Sequence, residues 1–283
     1  MRLQDFLRAK TCSTGSARQL KRSIESGDTL INGKVERFAS KPVGTGDIVT
    51  FHTVAATPKS PVISFDPQRV LYVDDAFLIY NKPAKVSSDN SAFLAAIQAV
   101  YPTAQLVHRL DRDTTGALIL SLNPAVQEAL LELFRTRKVQ KTYYALVDKV
   151  PSDGYGVIKN HLGKLSVYQG QTLWGSVAAS KGKLAITRWE RKTRGKAASL
   201  IICYPETGRT HQIRVHLNGL GHPILGDYQY GKQFTCLYRP PRMMLHAFEV
   251  AFDHPAKGNK VRVVAPLPPD FTTTAQHVLG DRS

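Results

Sequence analysis

Short runs of β-branched and aromatic residues, separated by turn signals, dominate the chain from Val70 onward. Val70–Val73 and Phe77–Tyr80 flank the polar pair Asp74-Asp75, a pattern that predicts a β-hairpin. Helical patterns are few and do not alternate strictly with the strands, which argues against a doubly wound parallel sheet. The sequence therefore predicts an α+β fold built on a mixed or antiparallel sheet.

The remaining elements of this larger region are predicted from local patterns. Helices are expected at Ser91–Val100 and after Asn123-Pro124, because asparagine caps a helix and proline fits its first position. The Gly- and Ser-rich stretch 151–182 gives no clear assignment. Strands are predicted at Gly116–Leu120, Tyr143–Val147, Ala185–Trp189, Ser199–Cys203 and Gln212–His216. In the last of these, alternation would place Gln212, Arg214 and His216 on one face.

Residues 1–54 form a separate small α+β pattern. One predicted helix carries an apolar stripe and, on another face, three basic residues, Arg18, Lys21 and Arg22. Asn32-Gly33 between short apolar runs predicts a hairpin, because both residues tolerate positive φ. Residues 55–68 contain three prolines and predict a linker. The larger domain is therefore expected to span 69–283.

Charge and composition limit the possible partners. The 283 residues include 38 Lys and Arg against 22 Asp and Glu, a net charge of +16, which indicates a polyanionic partner. No apolar run approaches the roughly 20 residues that span a bilayer, so nucleic acid is favoured over a membrane. The three dispersed cysteines form no C-x-x-C pair and fit a reducing compartment. We therefore expect a cytoplasmic protein that does not bind membranes.

Three polar segments are candidates for chemistry. His108–Gly116 packs two carboxylates, two guanidiniums and an imidazole before a predicted buried strand. On these residues alone, a loop whose charges pair with one another is the favoured interpretation. Thr207–His216 contains Arg214, which could meet the Asp111 loop and fix the charge and orientation of that carboxylate; a solvated strand face is the alternative. Lys141–Tyr143 puts an aromatic ring beside a basic group, as in base-stacking sites, although a core tyrosine is the commoner arrangement.

Together these segments resemble the RluA-type pseudouridine synthases, and residues 1–54 resemble the S4 RNA-binding domain. The family signature is matched by His108-Arg-Leu-Asp111-Arg-Asp-Thr-Thr-Gly116. Further matches follow in the family's order at Arg137–Tyr143, Thr207–His216, Gly221–Asp227 and Leu245–Ala247. The resemblance covers about residues 70 to 268. It implies isomerisation of uridine to pseudouridine within RNA, with no cofactor and no metal ion.

The resemblance also implies roles for individual residues. Asp111 matches the essential aspartate, Arg214 the arginine that pairs with it, and Tyr143 the tyrosine that stacks on the target base. Arg109 matches the arginine that displaces the base from its stack. Substrate- or RNA-binding roles are thus implied for Arg109, Ile213, Lys141, Arg18, Lys21 and Arg22. One departure concerns Lys85, which stands where the family commonly has glycine.

Several functional alternatives stay open at the level of sequence. Structured RNA is the expected partner, with ribosomal RNA as the first candidate and transfer RNA as the second. An RNA-binding ribosome-assembly factor without catalysis, and a base-removing glycosidase that uses Asp111, are the competing functions. The carboxylate of Asp111 can act as a nucleophile or as a base that removes a sugar proton. We expect the protein to be a monomer.

Overall fold

The computed structural model describes residues 1–10, 17–51, 63–168, 171–231 and 233–280; the side chains of residues 17–19, 22, 26, 168 and 171 lie outside the described part. The chain divides into two compact units, Met1–Val62 and Ile63–Ser283. Within the described ranges, no helix is both long enough and apolar enough to cross a membrane.

The first unit packs two helices beside a small sheet. Its elements are α1 (Leu3–Lys10), α2 (Ala17–Ser26), β1 (Thr29–Ile31), β2 (Lys34–Val35) and β3 (Val49–Phe51). The strands pair antiparallel in the order β2-β1-β3. Asn32 and Gly33 have φ of 52° and 76°, so the predicted hairpin between β1 and β2 is confirmed. Both helices bury apolar side chains in one core, which contains Leu3, Leu7, Leu20 and Ile24.

The second unit is built on strands with helices on its faces. Its strands are β4 (Val70–Val73), β5 (Phe77–Lys82), β6 (Gln105–Leu106), β7 (Thr115–Ser121), β8 (Gln140–Asp148), β9 (Tyr155–Tyr168), β10 (Gln171–Val177), β11 (Lys183–Arg194), β12 (Ala198–Pro205), β13 (Leu245–Asp253) and β14 (Lys260–Val264). Its helices are α3 (Ser91–Gln98), α4 (Pro124–Arg135), α5 (Gln212–Gly219) and α6 (Pro269–Leu279). Short 3-10 turns lie at Pro67–Arg69 and Ala179–Lys181.

The strands of the second unit form one mixed sheet, as the sequence predicts. In the described residues its main path runs β10-β9-β11-β12-β8-β13-β7-β5-β4, with β14 and β6 paired to β13 and β7. The pairs are antiparallel except β13–β7, which is parallel. At that junction Gly116 has φ of 111°, and a Cβ would lie 2.2 Å from the Ala247 carbonyl oxygen. Glycine therefore lets β7 approach β13 closely and fixes the start of β7, together with the loop before it.

Burial and helix capping explain why strand β7 and helix α4 could be predicted from the sequence. All seven residues of β7 are buried, as expected for a central strand covered on both faces. The predicted cap of α4 is confirmed, because the Asn123 side chain accepts a hydrogen bond from the Ala125 amide. Leu130 of α4 is fully buried against the sheet. Each such apolar side chain contributes roughly 1.5–3 kcal/mol on burial.

The prediction of a strand over Gln212–His216 is wrong, because this segment is the start of helix α5. His211, with φ of 56°, breaks the extended chain just before it. Gln212 and His216 lie one helical turn apart, and both form 2.9 Å hydrogen bonds with the Thr187 hydroxyl. Arg214 lies about 200° round the helix from Gln212 and points elsewhere. The predicted common face of Gln212, Arg214 and His216 therefore does not exist.

Two further stretches acquire structure that their sequence left open. Residues 151–168 and 171–182 contain the antiparallel strands β9 and β10 and the 3-10 turn that follows β10. Lys85, which replaces the glycine common in the resembling family, has φ of 66°. The backbone thus keeps a left-handed conformation at this position although the residue is a lysine.

Candidate active site

An open cleft of about 840 Å³ lies between the loop before β7, strand β8 and the start of α5. It brings together the six site residues that sequence placed in the larger domain. They are Asp111, Tyr143, Arg214, Arg109, Ile213 and Lys141. These residues are up to about a hundred positions apart in sequence, so the tertiary fold alone makes them neighbours.

At one end of the cleft, Arg214 holds Asp111 in a fixed orientation. Its Nη1 donates to Asp111 Oδ2 at 3.2 Å. Nε and Nη2 donate to the two carboxylate oxygens of Asp227 at 2.7 and 3.0 Å, and Nη2 also donates to Gln229 at 2.7 Å. Burial opposes the charge of Arg214, but Asp227 and Asp111 outweigh it and raise the pKa above its ordinary value. The guanidinium is therefore a permanent, immobile cation.

A histidine and a tyrosine complete this end of the cleft. His211 Nδ1 and the Tyr230 hydroxyl are 2.7 Å apart, and His211 Nε2 lies 3.9 Å from Asp111 Oδ1. Burial, followed by the charge of Arg214, lowers the pKa of His211. The Tyr230 ring lies 4.9 Å from the Arg214 guanidinium, and burial raises the pKa of Tyr230 to about 12. His211 is consequently neutral at pH 7 and contacts Asp111 without adding a charge.

This end of the cleft also has an apolar surface, formed by Tyr143 and Ile213. Tyr143 of β8 lines the cleft, and burial, followed by the charge of Asp111, raises the pKa of its phenol. Ile213, only 5% exposed, contributes an apolar surface from α5. A neutral aromatic ring beside an aliphatic side chain suits the stacking of a planar, uncharged base.

Two buried basic side chains, Lys82 and Arg242, bind carbonyl groups of the loop that carries Asp111. Lys82, fully buried, donates from Nζ to the carbonyl oxygens of Pro83, Val86 and Arg112 at 2.8, 2.7 and 3.2 Å. Burial lowers the pKa of Lys82 to about 7, although Asp113 and Asp111 act in the opposite direction. Arg242 donates to the Asp113 carbonyl at 3.4 Å.

Arg242 also links this loop to the C-terminal helix. Its Nε and Nη2 donate to the two carboxylate oxygens of Asp270 in α6 at 2.7 and 2.8 Å. The loop that carries Asp111 is therefore anchored to both β5 and α6. Such anchoring keeps the carboxylate in place before a substrate arrives.

Arg109 occupies the solvent-facing rim. Its Nη2 forms an ion pair with Asp89 at 2.8 Å, and its side chain is 68% exposed. The guanidinium is therefore accessible at the mouth of the cleft.

The predicted basic residues of the first unit are described only in part. Lys21 forms an ion pair with Glu25 of the same helix at 3.8 Å. The side chains of Arg18 and Arg22 lie outside the described residues.

Sequence reasoning missed three residues that the structure places in this network, namely Asp227, Gln229 and Lys82. Asp227 ends the segment Gly221–Asp227 that matched the family pattern, so its position was a usable signal. Gln229 was missed because its partners Arg214 and Thr172 are distant in sequence. Lys82 was missed because its link to the Asp111 loop, through the Arg112 carbonyl, spans 30 positions. The described residues contain no group of three or more His, Cys, Asp or Glu side chains arranged to hold a metal ion.

Comparison with known proteins identifies consistent relatives. A family model described as RNA pseudouridylate synthase matches residues 76–219. An uncharacterized RNA pseudouridine synthase of Zymomonas mobilis is 39% identical over 217 residues, covering 72% of this chain and 96% of the relative. Ribosomal large subunit pseudouridine synthase C of Haemophilus ducreyi is 34% identical over 287 residues, covering 94% of this chain and 88% of the relative.

Solved structures agree with these sequence matches. Human RNA pseudouridylate synthase domain containing 1 is 30% identical, with a TM-score of 0.61 over 71% of this chain and 85% of that one. Human RNA pseudouridylate synthase domain containing 4 is 25% identical, with a TM-score of 0.61 over 74% and 92%.

Proposed function

The chain belongs to the RluA-type RNA pseudouridine synthases, which are isomerases, and we propose that it converts uridines of large-subunit ribosomal RNA to pseudouridine. The observation that carries this proposal is the meeting of Asp111, Tyr143 and Arg214 in one cleft. The target class is supported by the names of relatives, ribosomal large subunit pseudouridine synthase C and D. The net charge of +16 supports a large polyanionic substrate.

The reaction breaks the bond between N1 and C1′ of uridine and joins C5 to C1′. Uracil must turn within the site, and the hydrogen on C5 must leave while N1 gains one. We assign the reacting carboxylate to Asp111, as a nucleophile at C1′ or as a base toward the sugar. Arg214 keeps this carboxylate aimed into the cleft. Both routes conserve atoms without an external reactant.

We assign the remaining predicted site residues to binding. A paired uridine must leave its stack, which costs a few kcal/mol. Tyr143 and Ile213 offset part of that cost by packing against the extruded base, since base–aromatic stacking contributes about 1–3 kcal/mol. Arg109 on the rim contacts the RNA at the position that the base vacates.

The first unit is proposed as an S4-type RNA-binding domain over 1–54, followed by a linker over 55–68 and the synthase domain over 69–283. The two helices, the three-stranded antiparallel sheet and the basic residues of α2 support this assignment. We further propose that the protein acts as a monomer in the cytoplasm, in line with its low cysteine count. Changing Arg18, Lys21 and Arg22 to Glu should then raise KM for large RNA by about tenfold or more.

The proposed activity is tested with ribosomal RNA carrying tritium at uridine C5. Wild-type protein should release tritium, because the new bond to C5 expels that hydrogen. Asp111→Asn should lower the rate by about a hundredfold or more, since it removes the carboxylate but little volume. Asp253→Asn, at an exposed carboxylate paired with Lys260 at 3.5 Å, is the matched control and should retain activity.

The outcome of this assay separates the competing functions. Tritium release from transfer RNA but not ribosomal RNA would move the target to transfer RNA. Abasic RNA as the product would indicate a glycosidase. Tight RNA binding without release from either RNA would refute the proposal and favour an assembly factor.

A further inference from the structure

Beyond the Asp111 end, the cleft extends past Lys141 and Arg209 toward Phe134 and Arg137. The volume of about 840 Å³ includes this second part, which we call the basic end. Residues of the basic end are not used by the chemistry assigned to Asp111, Tyr143 and Arg214. Their charges therefore need a separate explanation.

Lys141 projects into the cleft on the same face of β8 as Tyr143, two residues before it. Side chains two residues apart on a strand are separated by about 7 Å. Its Nζ lies 6.0 Å from the centre of the Phe134 ring, and His108 stacks on that ring with centroids 4.7 Å apart. The ammonium group thus lies over an aromatic wall, beside the platform proposed for the base.

Arg209 is held firmly beside Lys141. Its Nε donates to the Leu184 carbonyl at 3.0 Å, and its backbone amide donates to the Gln212 side chain at 3.0 Å. The charge of Arg209 adds to the effect of burial in lowering the pKa of Lys141 to about 8. Two cations thus line the same cleft although they repel each other.

The described part of the chain offers these two cations no carboxylate. The acidic residues that line the cleft are Asp111 and Glu206, and each already pairs with an arginine, at 3.2 and 3.1 Å. Neither Lys141 nor Arg209 forms an ion pair within the described ranges, whereas Arg109 and Arg135 of the same cleft do. A partly buried pair of unneutralised cations favours an anion from outside.

We propose that Lys141 and Arg209 form a binding site for a phosphodiester that flanks the target uridine. This inference rests on the proposed function, because it takes RNA as the substrate. A base against Tyr143 is separated from its own backbone phosphates by one ribose, a distance comparable with the roughly 7 Å between Lys141 and Tyr143. The site would fix the position of the sugar relative to Asp111 and so select the strand direction of the RNA.

The first test measures the affinity for an RNA hairpin that carries the mapped uridine. Lys141→Gln should raise Kd by about tenfold, the value of one charge-assisted hydrogen bond. Lys138→Gln is the matched control, because it removes the same charge from an exposed side chain that does not line the cleft. Equal Kd values for the two variants would overturn the proposal. Lys141→Arg should restore most of the affinity, which a purely structural role would not require.

The second test removes the charge from the RNA instead. A neutral methylphosphonate is placed on the 5′ or the 3′ side of the uridine. At one of these two positions, wild-type protein should lose about tenfold in affinity. Lys141→Gln should lose clearly less there, because only Arg209 still contacts that phosphate. If the affinity of both proteins falls by the same factor with the methylphosphonate on either side of the uridine, no phosphodiester contacts Lys141 and the proposal fails.

A pH series provides an independent readout. Lys141 loses its proton as the pH rises through about 8, so wild-type affinity should weaken several-fold between pH 7 and 9. The groups that face Lys141 are Arg209, from the loop before α5, and His108, from the loop before β7. Burial holds the pKa of His108 at about 3, well below this pH range. Lys141→Arg should show no such weakening, and a wild-type curve parallel to it would contradict the proposal.

Failure of this inference can be distinguished from failure of the proposed function. Kd measurements need no turnover, and a transcript of the ribosomal RNA serves if no uridine is isomerised. Lysine-dependent binding without tritium release would refute the activity alone. Tritium release without any dependence on Lys141 would refute the phosphate site alone.

Discussion

The two ends of the cleft treat their charges in opposite ways. At the Asp111 end, Arg214 donates to two carboxylates and an amide, so its charge is neutralised within the protein. At the basic end, Lys141 and Arg209 face the cleft without a carboxylate partner among the described residues. The first arrangement preserves one geometry before substrate arrives, whereas the second leaves binding energy available for the substrate.

The difference also bears on stability. Removing one partner of a buried, fully paired arginine is costly, because it leaves a buried charge without compensation. An unpaired, partly buried lysine weakens the folded state until an anion binds. Charge removal should therefore destabilise the protein at one end and stabilise it at the other.

The largest effect is expected for Asp227→Asn. It leaves Arg214, whose side chain is only 10% exposed, without its two-point partner. We expect the free energy of unfolding to fall by about 3 kcal/mol, measured by urea denaturation at pH 7. Asp253→Asn should change it by less than about 0.5 kcal/mol, because its ion pair is exposed. If Asp227→Asn and Asp253→Asn were equally stable, the ion pair of Arg214 with Asp227 would not stabilise the fold, and the two ends of the cleft would not differ in this respect.

A smaller effect of opposite sign is expected for Lys141→Gln without RNA. Removing an uncompensated charge should raise the free energy of unfolding by about 0.5–1 kcal/mol at pH 7, a gain typical of relaxing a binding site. Lys138→Gln should leave stability unchanged within about 0.5 kcal/mol. Loss of stability in the Lys141 variant would show that its charge is neutralised after all.

The pH dependence of that gain has a definite sign. The folded-state pKa of Lys141, about 8, lies below that of the unfolded chain, so the unfolded state binds more protons between the two values. Wild-type stability therefore increases with pH above 8 relative to the Gln variant. The advantage of Lys141→Gln should be full below pH 8 and shrink toward pH 10.

The smallest change in stability is expected for Arg109→Gln. Its ion pair with Asp89 is solvent-exposed, so the free energy of unfolding should change by less than about 0.5 kcal/mol. Affinity for RNA should still fall by a few-fold, because the rim cation is lost. If the free energy of unfolding fell as far as in Asp227→Asn, the Arg109 ion pair would stabilise the fold as a buried pair does, which would contradict this prediction.

Much of this architecture was predictable because local physics decides it. The Asn32-Gly33 turn, the Asn123 cap and the buried run of β7 follow from backbone freedom, capping hydrogen bonds and hydrophobic burial. The mixed sheet and the family signature around Asp111 were predictable from the same chain. The turn, the cap and the buried run of β7 depend on residues near one another in sequence.

Tertiary contacts decided what the sequence left open or predicted wrongly. Gln212–His216 alternates like a strand, yet hydrogen bonds to Thr187 and the left-handed His211 make it a helix. That helix turns Arg214 toward Asp111 and Asp227, and it leaves Arg209 beside Lys141. Which charges are compensated depends on distances between elements far apart in the chain. The sequence determined the residues available for chemistry, and only the packing of those elements decided which of them are paired and which await a substrate.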